Sequence, residues 1–296
     1  MQRRNALRNL TGTALTLSAV PSLASQLMHE SEPATPYVAA TTAMKGNINH
    51  SVCRWCYSKI PLDDLCKAAK AMGIKSIDLT GPDEWPTLKK YGLTSAMPQG
   101  AGKGIVDGFN DPKLHDELVA SYEAIFPKLQ AAGMTSVICF SGNRKGMSDA
   151  EGLENCAKGL KRLMPSAEKH GITMIMELLN SKVDHKDYMC DHTAWGVELC
   201  KKVGSDKFKL LYDIYHMQIM EGDIIRTIRA HHQYIGHYHT GGNPGRNEID
   251  QTQEIYYPAV MQAIIATGYK GYVAQEFIPK RDPLTSLREA VMLCDV

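Results

Sequence analysis

His170-Gly171-Ile172-Thr173-Met174-Ile175-Met176-Glu177-Leu178 is the stretch whose reading decides the fold. It joins a helix-like pattern over residues 150–170 to a glycine suited to a left-handed C-terminal cap, then to a short apolar, β-branched run that ends on a carboxylate. The same sentence is written along the chain. Strand-like runs fall at residues 48–55, 76–79, 93–97, 136–140, 173–178, 209–214, 234–239 and 271–277. Helical patterns separate them at 62–72, 85–91, 112–132, 150–170, 192–203, 223–232 and 257–267, with a last one at 284–293. Gly73, Gly133 and Gly268 close three further helices as Gly171 does. Eight βα units in roughly 250 residues predict an α/β fold of the closed (β/α)8 TIM barrel type. A doubly wound open sheet is the alternative, and it would want a glycine-rich phosphate loop after the first strand. His50-Ser51-Val52-Cys53-Arg54-Trp55 holds no glycine.

In such a barrel, chemistry belongs at the C-terminal ends of the strands. Four consecutive expected strands, the fifth to the eighth, run out on Glu177, Asp213, His239 and Glu276. Converging over one mouth, these side chains make an O3N donor set suited to one divalent cation, Mn2+, Mg2+, Co2+ or Zn2+. His237 shares a strand face with His239 by the period of two, so it competes for the same role. Trp55 and Trp85 stand near the ends of the first two strands as candidate apolar walls, with core packing as the equal alternative, and Lys182 and His185 are loop residues with no assigned work.

The motifs become specific in Asp213-Ile214-Tyr215-His216-Met217-Gln218, Met220-Glu221-Gly222-Asp223 and Gly236-His237-Tyr238-His239-Thr240-Gly241-Gly242-Asn243-Pro244-Gly245-Arg246-Asn247-Glu248. Together they resemble the hydroxypyruvate isomerase family, part of the xylose isomerase-like barrels that also include ketose 3-epimerases and apurinic endonucleases of the endonuclease IV type. The resemblance runs from about residue 47 to the end. It implies a metal held by Glu177, Asp213, His239 and Glu276, with Glu177 and Glu276 also moving the proton. It further implies that His216 contacts a substrate oxygen and that Arg246 orients the substrate. His239 stands where hydroxypyruvate isomerases often carry Gln, as in the epimerases, yet Val183 stands where those epimerases carry another Glu.

The chemistry has its own logic. Moving a proton between adjacent carbons of a hydroxycarbonyl passes through an enediolate, whose charge a divalent cation stabilises while two carboxylates remove and return the proton. Arg246 offers a bidentate fork for a carboxylate. The sequence therefore predicts a metal-dependent isomerase of a small hydroxycarbonyl compound, hydroxypyruvate to tartronate semialdehyde first, with a ketose 3-epimerase or other sugar isomerase as the alternative. A noncatalytic sugar-binding barrel or a lyase on oxidised sugars is the reading from another class. Lys plus Arg number 33 against 32 Asp plus Glu, which leaves no basic excess for a nucleic acid and argues against an endonuclease. No run reaches the roughly 20 apolar residues of a membrane span. Eight scattered cysteines do not make a disulfide scaffold, and the single CxxC, Cys53 and Cys56, lacks a second pair at zinc spacing. Oligomeric state is left open, a homo-oligomer included.

The first residues read as an address. Arg3-Arg4, Arg8, a modest apolar stretch over 10–20 and Ser22-Leu23-Ala24 resemble a twin-arginine signal with a small-x-small cleavage site, although Ala6 replaces the usual Phe. The expected organisation is a signal peptide at 1–24, a tether at 25–45 and one catalytic barrel at 46–296, in a protein exported to the periplasm. Export of a folded, loaded barrel suits unpaired thiols and a bound cofactor. Replacing Arg3 and Arg4 together by Lys should hold the precursor in the cytoplasm with residues 1–24 attached, as fractionation and mass spectrometry would read. Normal arrival in the periplasm would replace the twin-arginine reading with a general secretory one.

Overall fold

The structure, a computed structural model, describes residues 44–296; the expected signal peptide and nearly all of the expected tether lie outside the described residues. Among the described residues seven strands run parallel: β1 (Asn49–Cys53), β2 (Ser76–Asp78), β3 (Ser136–Cys139), β4 (Thr173–Glu177), β5 (Phe208–Asp213), β6 (Ile235–Thr240) and β7 (Tyr272–Gln275). Their order is β2-β1-β7-β6-β5-β4-β3. The helices among the described residues are α1 (Leu62–Ala71), α2 (Trp85–Lys90), α3 (His115–Ala131), α4 (Asp149–His170), α5 (Thr193–Val203), α6 (Ile214–Met220), α7 (Ile224–His231), α8 (Tyr257–Ala266) and α9 (Pro283–Cys294).

The sequence predicts an eighth strand at 93–97, and here the structure differs. Residues 93–98 lie between β2 and β3 as an irregular stave. Ile77 N–H donates to the Thr94 carbonyl (2.9 Å), Leu79 N–H to that of Met97 (2.7 Å), and Ile138 N–H to that of Pro98 (3.2 Å), so the gap is closed. Thr94 N–H still donates to the Lys75 carbonyl (3.2 Å), but beyond it the stave fails as a regular strand because its donors go elsewhere. Ala96 N–H bonds the Ser76 hydroxyl (2.7 Å), Met97 N–H bonds the Asp78 carboxylate (3.3 Å), and Pro98 has no N–H to give. The seven-strand sheet and this stave together form the barrel.

Between the strands and their helices lies a continuous apolar layer that includes the fully buried Phe126, Leu160, Met174, Phe208, Leu210 and Val273. Each such side chain contributes roughly 1.5–3 kcal/mol by leaving water. Helix α4 shows how the sequence builds a unit. Ser148 caps its start by accepting from Glu151 N–H (3.2 Å), and Gly171 ends it at φ 71° before Ile172 enters the core.

The barrel interior is different and small. Met97, Ile138, Ile175 and Leu211 form its apolar layer. Beside them sits Asp78, fully buried, whose Oδ1 accepts from the hydroxyls of Ser51 (2.6 Å) and Ser76 (2.8 Å) and whose Oδ2 faces His237 Nε2 at 2.6 Å. One carboxylate thus ties together β1, β2, β6 and the irregular stave. Replacing Asp78 by Ala strands those donors in the interior and should lower stability by about 3–5 kcal/mol in urea denaturation. A loss within about 0.5 kcal/mol would show that the barrel closes without it.

Candidate active site

Glu177 at the end of β4, Asp213 at the end of β5, His239 in β6 and Glu276 one residue past β7 are drawn together, with one donor atom from each inside a 4.8 Å cluster. The register staggers them: Asp213 lies opposite His239, while Glu177 lies opposite Leu211 and His239 opposite Ala274, each two residues short of the next strand's donor, the step by which tilted barrel strands bring their ends to one mouth. All four are buried. His239 Nδ1 faces Glu276 Oε2 (2.6 Å) and Glu177 Oε1 (3.5 Å), while its Nε2 faces Cys53 Sγ and Asp78 Oδ2, both at 3.7 Å.

Three carboxylates in one buried space need compensation, and Arg246 supplies part of it. Its Nη2 lies 2.6 Å from Glu276 Oε2 and 2.9 Å from Asp213 Oδ2, and its Nε donates to the Glu276 carbonyl at 3.2 Å. The guanidinium lies over the rings of Tyr215 (5.1 Å) and Trp55 (5.7 Å), within cation–π range of both. Trp55 also donates its indole N–H to Glu276 Oε1 (2.6 Å). Arg246 is brought there by a turn over 241–248 in which Gly242 N–H bonds the Asn247 carbonyl (2.9 Å) and Arg246 takes a left-handed φ of 55°.

The electrostatics follow from these contacts. Burial pushes Glu177 up from the ordinary carboxylate range, aided by the Glu276 charge and opposed by His239. Asp213 is pushed up to about 7 by burial and by Glu276 and Glu177, against the pull of Arg246. For Glu276 burial also opposes ionisation, but His239 and Arg246 hold it well below the usual range. Without an ion the cluster meets its charge with protons: Glu177 and Asp213 are raised, and although burial opposes it, Cys53 and Glu276 hold the His239 imidazole well above its ordinary range; a dication would take the place of those protons. The donor set is all oxygen and imidazole nitrogen, the chemistry hard and borderline divalent cations take. The residues fit such an ion.

Asp213 does two jobs at the β5–α6 junction. As N-cap of α6 its Oδ1 accepts from His216 N–H (3.0 Å), which places His216 one turn on with its ring over the same mouth. That is the physical content of the D-x-x-H spacing. His216 is fully buried; desolvation and the nearby Arg246 charge keep it well below the ordinary imidazole pKa, so the ring is neutral. Arg246 Nη1 touches its Nε2, and Asn180 Nδ2 lies 2.6 Å from its Nδ1.

Of the other residues singled out in the sequence, His237 is drawn to Asp78 and not to the four-donor cluster. Trp55 stands in the mouth, whereas Trp85 is buried with its N–H on the Thr80 carbonyl (3.2 Å). Lys182 caps the end of α6 through the carbonyls of Ile219 and Met220, both at 3.0 Å. His185 packs edge-on against His216, ring centroids 5.3 Å apart. All eight cysteines are free thiols, and Cys53, Asp78 and His239 form a second three-residue group. That group is poor in free donors, because Asp78 is filled by Ser51, Ser76, Met97 and His237, and burial raises the Cys53 thiol well above its usual pKa. Sequence reasoning overlooked Asp78, Asn180 and Tyr215. Asp78 carried the same signal as the four ends, an acid closing the apolar run Ser76-Ile77-Asp78.

Comparison with known proteins agrees with this architecture. The family described as the xylose isomerase-like TIM barrel matches residues 66–294. A human protein provisionally named hydroxypyruvate isomerase is 31% identical over 241 residues, 79% of this chain and 80% of its own length. The 2-oxo-tetronate isomerase of Cupriavidus necator is 32% identical over 115 residues, and that match spans 39% of this chain and only 44% of the relative. Among solved structures, an AP endonuclease of family 2 from Brucella melitensis superposes with a TM-score of 0.73 at 21% identity, covering 81% of this chain and 97% of that one. The 3-keto-D-glucoside 4-epimerase of Escherichia coli gives 0.70 at 18% identity, covering 83% and 98%. At those identities the structural likeness speaks for the fold alone.

The Arg246 turn supplies a test of how the mouth is held. A Cβ at Gly242 would collide with the Glu248 carbonyl oxygen and lie 2.8 Å from that of Asn247. Gly242→Ala should therefore cost about 1–3 kcal/mol in chemical denaturation and shift the turn that carries Arg246. Wild-type stability would show that the turn accommodates a side chain and does not depend on that close approach.

Proposed function

The chain belongs to the hydroxypyruvate isomerase family of the xylose isomerase-like TIM barrels, and from that premise we propose that it converts hydroxypyruvate to tartronate semialdehyde with a divalent cation at the strand-end cluster. That it is an isomerase of a small substrate follows from its relatives. The observation that carries the finer reading is the pairing of a four-donor buried cluster with the Arg246 fork at one mouth. Both relatives are named for 2-oxo acids, compounds in which a carboxylate adjoins the carbonyl, and a guanidinium that can form two parallel bonds is the side chain for that group.

Glu177, Asp213, His239 and Glu276 would hold the cation, through His239 Nδ1 on the imidazole side. When bound, the cation supplies positive charge against the carbonyl and hydroxyl oxygens as the substrate becomes an enediolate. Glu177 and Glu276 are the proton carriers: one takes the proton from the carbon bearing the hydroxyl and returns it to the neighbouring carbonyl carbon, while the hydroxyl proton passes to the carbonyl oxygen. Without the cation their environments already differ, burial raising Glu177 while His239 and Arg246 hold Glu276 low, so the two carboxyl groups differ in basicity. His216 donates to a substrate oxygen, and Arg246 exchanges its carboxylate partners within the cluster for the substrate carboxylate. Trp55 and Tyr215 keep the guanidinium in the mouth during that exchange.

A ketose 3-epimerase is the second reading, favoured by an imidazole at His239 and disfavoured by Val183, which offers no carboxylate. Deuterium wash-in from D2O, followed by NMR over hydroxypyruvate and a panel of ketoses, separates the two. Exchange and net conversion are expected with hydroxypyruvate, falling about 100-fold or more in Glu276→Gln. Exchange confined to a ketose would transfer the assignment to the epimerases, and binding without exchange would make the barrel noncatalytic. Metal analysis of purified wild type should find one divalent cation per chain, largely lost in Asp213→Ala; equal content in the two would remove the cation from this cluster.

A further inference from the structure

We propose that Asn180 is a positioning residue that locks His216 in the tautomer with its proton on Nε2, so that the ring meets the substrate as a hydrogen-bond donor. The argument is one of hydrogen-bond accounting. His216 meets an N–H group at each ring nitrogen, and an imidazolium, a donor at both, would oppose both; the ring is therefore the neutral form, with one donor and one acceptor nitrogen. Its Nδ1 faces Asn180 Nδ2 at 2.6 Å and its Nε2 faces Arg246 Nη1, and both neighbours are N–H groups. A neutral imidazole cannot accept at both nitrogens. One of the two contacts is a meeting of donors.

Which contact gives way is settled by what else holds each neighbour. Turning the Asn180 amide over would present its oxygen to His216, but the amide is pinned on every side. Its Oδ1 accepts from the backbone N–H groups of Val183 (3.0 Å) and Asp184 (2.9 Å), which shapes the turn after β4. Its Nδ2 also donates to the Asp184 carboxylate at 2.7 Å, and that carboxylate is held in turn by the Tyr215 hydroxyl at 2.8 Å. A flipped amide would set NH2 against two N–H groups and oxygen against a carboxylate. Asn180 is fully buried, so no water is at hand to repair those losses. The Arg246 guanidinium is held through Nη2 and Nε by Asp213 and Glu276, and its Nη1 makes no bond among the described residues besides the contact with His216, so losing that contact strands no acceptor. Nδ1 is therefore the acceptor, Nε2 carries the proton, and the Arg246 contact is the one that yields. Nε2–H and the Arg246 N–H groups then converge on one point in the mouth, which calls for an acceptor oxygen of the substrate, a carboxylate or a developing oxyanion.

The proposal rests on the reading of His216 as a substrate contact, and the experiment keeps the two apart. Long-range 1H–15N NMR of the metal-free protein, with His216 assigned through His216→Gln, should show a protonated Nε2 and an unprotonated Nδ1. A protonated Nδ1 would overturn the proposal whatever the activity. In Asn180→Asp a carboxylate replaces the amide donor, Nδ1 gains the proton, and kcat should fall by about 10-fold or more with a smaller change in KM, since a misplaced imidazole proton is costly where it must meet developing charge. The exchanged pair Asn180→Asp with Asp184→Asn restores the charge of the turn but still sets a carboxylate on Nδ1, so it should stay slow; recovery of the rate would assign the effect to turn charge and sink the tautomer account. In a His216→Ala background, Asn180→Asp should cost nothing further, and an undiminished cost would equally sink it. Should His216→Ala alone leave the rate untouched, the substrate role of His216 fails while the NMR result still decides the tautomer.

Discussion

Three carboxylates share a buried space only a few ångströms wide, and the rest of the mouth is arranged around that repulsion. Taking each charge out of water costs several kcal/mol, and like charges so close add to it. The apolar layer beneath, made of Met97, Ile138, Ile175 and Leu211, offers nothing to offset it. Compensation has to come from the rim, and it does: His239 and the Trp55 indole engage Glu276, and Arg246 bridges Glu276 and Asp213. The turn over 241–248, the left-handed backbone at Arg246 and the aromatic faces of Trp55 and Tyr215 all serve to deliver one guanidinium to one place. A cluster of this kind is stable only when charged partners are supplied, which is also why it suits a reaction that passes through a negative intermediate.

Much of this was legible because an acid at the end of an apolar strand is costly unless it has work to do. Glu177, Asp213, His239 and Glu276 each broke the apolar run they ended, and a barrel brings consecutive strand ends to one mouth without any detailed knowledge of side chains. Glycine stops such as Gly171 fixed the helix ends, as its φ of 71° bears out. The losses have equally definite causes. The stave at 93–98 has the composition of a strand, but the N–H groups of Ala96 and Met97 are claimed by the side chains of Ser76 and Asp78, and no local pattern announces a partner some twenty residues away. Helix α6 was hidden because it begins on the last residue of β5, with no loop residue between strand and cap. Asp78 was visible in type and invisible in consequence, since only the fold shows that it faces His237 and the irregular stave.

The relation between motif and geometry is clearest where one side chain serves both the backbone and the chemistry. Asp213 spends Oδ1 on capping α6 and leaves Oδ2 for the cluster. Asn180 spends Oδ1 on the turn after β4 and leaves Nδ2 for His216. Glu276 divides its oxygens in the same way with a side chain as anchor, Oε1 on the Trp55 indole and Oε2 on His239 and Arg246. In each case the first atom fixes the rotamer, so the second atom is aimed at no added entropic cost when the substrate arrives. This explains why the spacings are so short, three residues from Asn180 to Val183 and three from Asp213 to His216. A turn or an N-cap spans three residues, and a site built from turn-forming side chains inherits that length. Substitutions that preserve charge but lose the backbone bond should therefore be as damaging as those that remove the reacting atom, because aim and chemistry here reside in the same group.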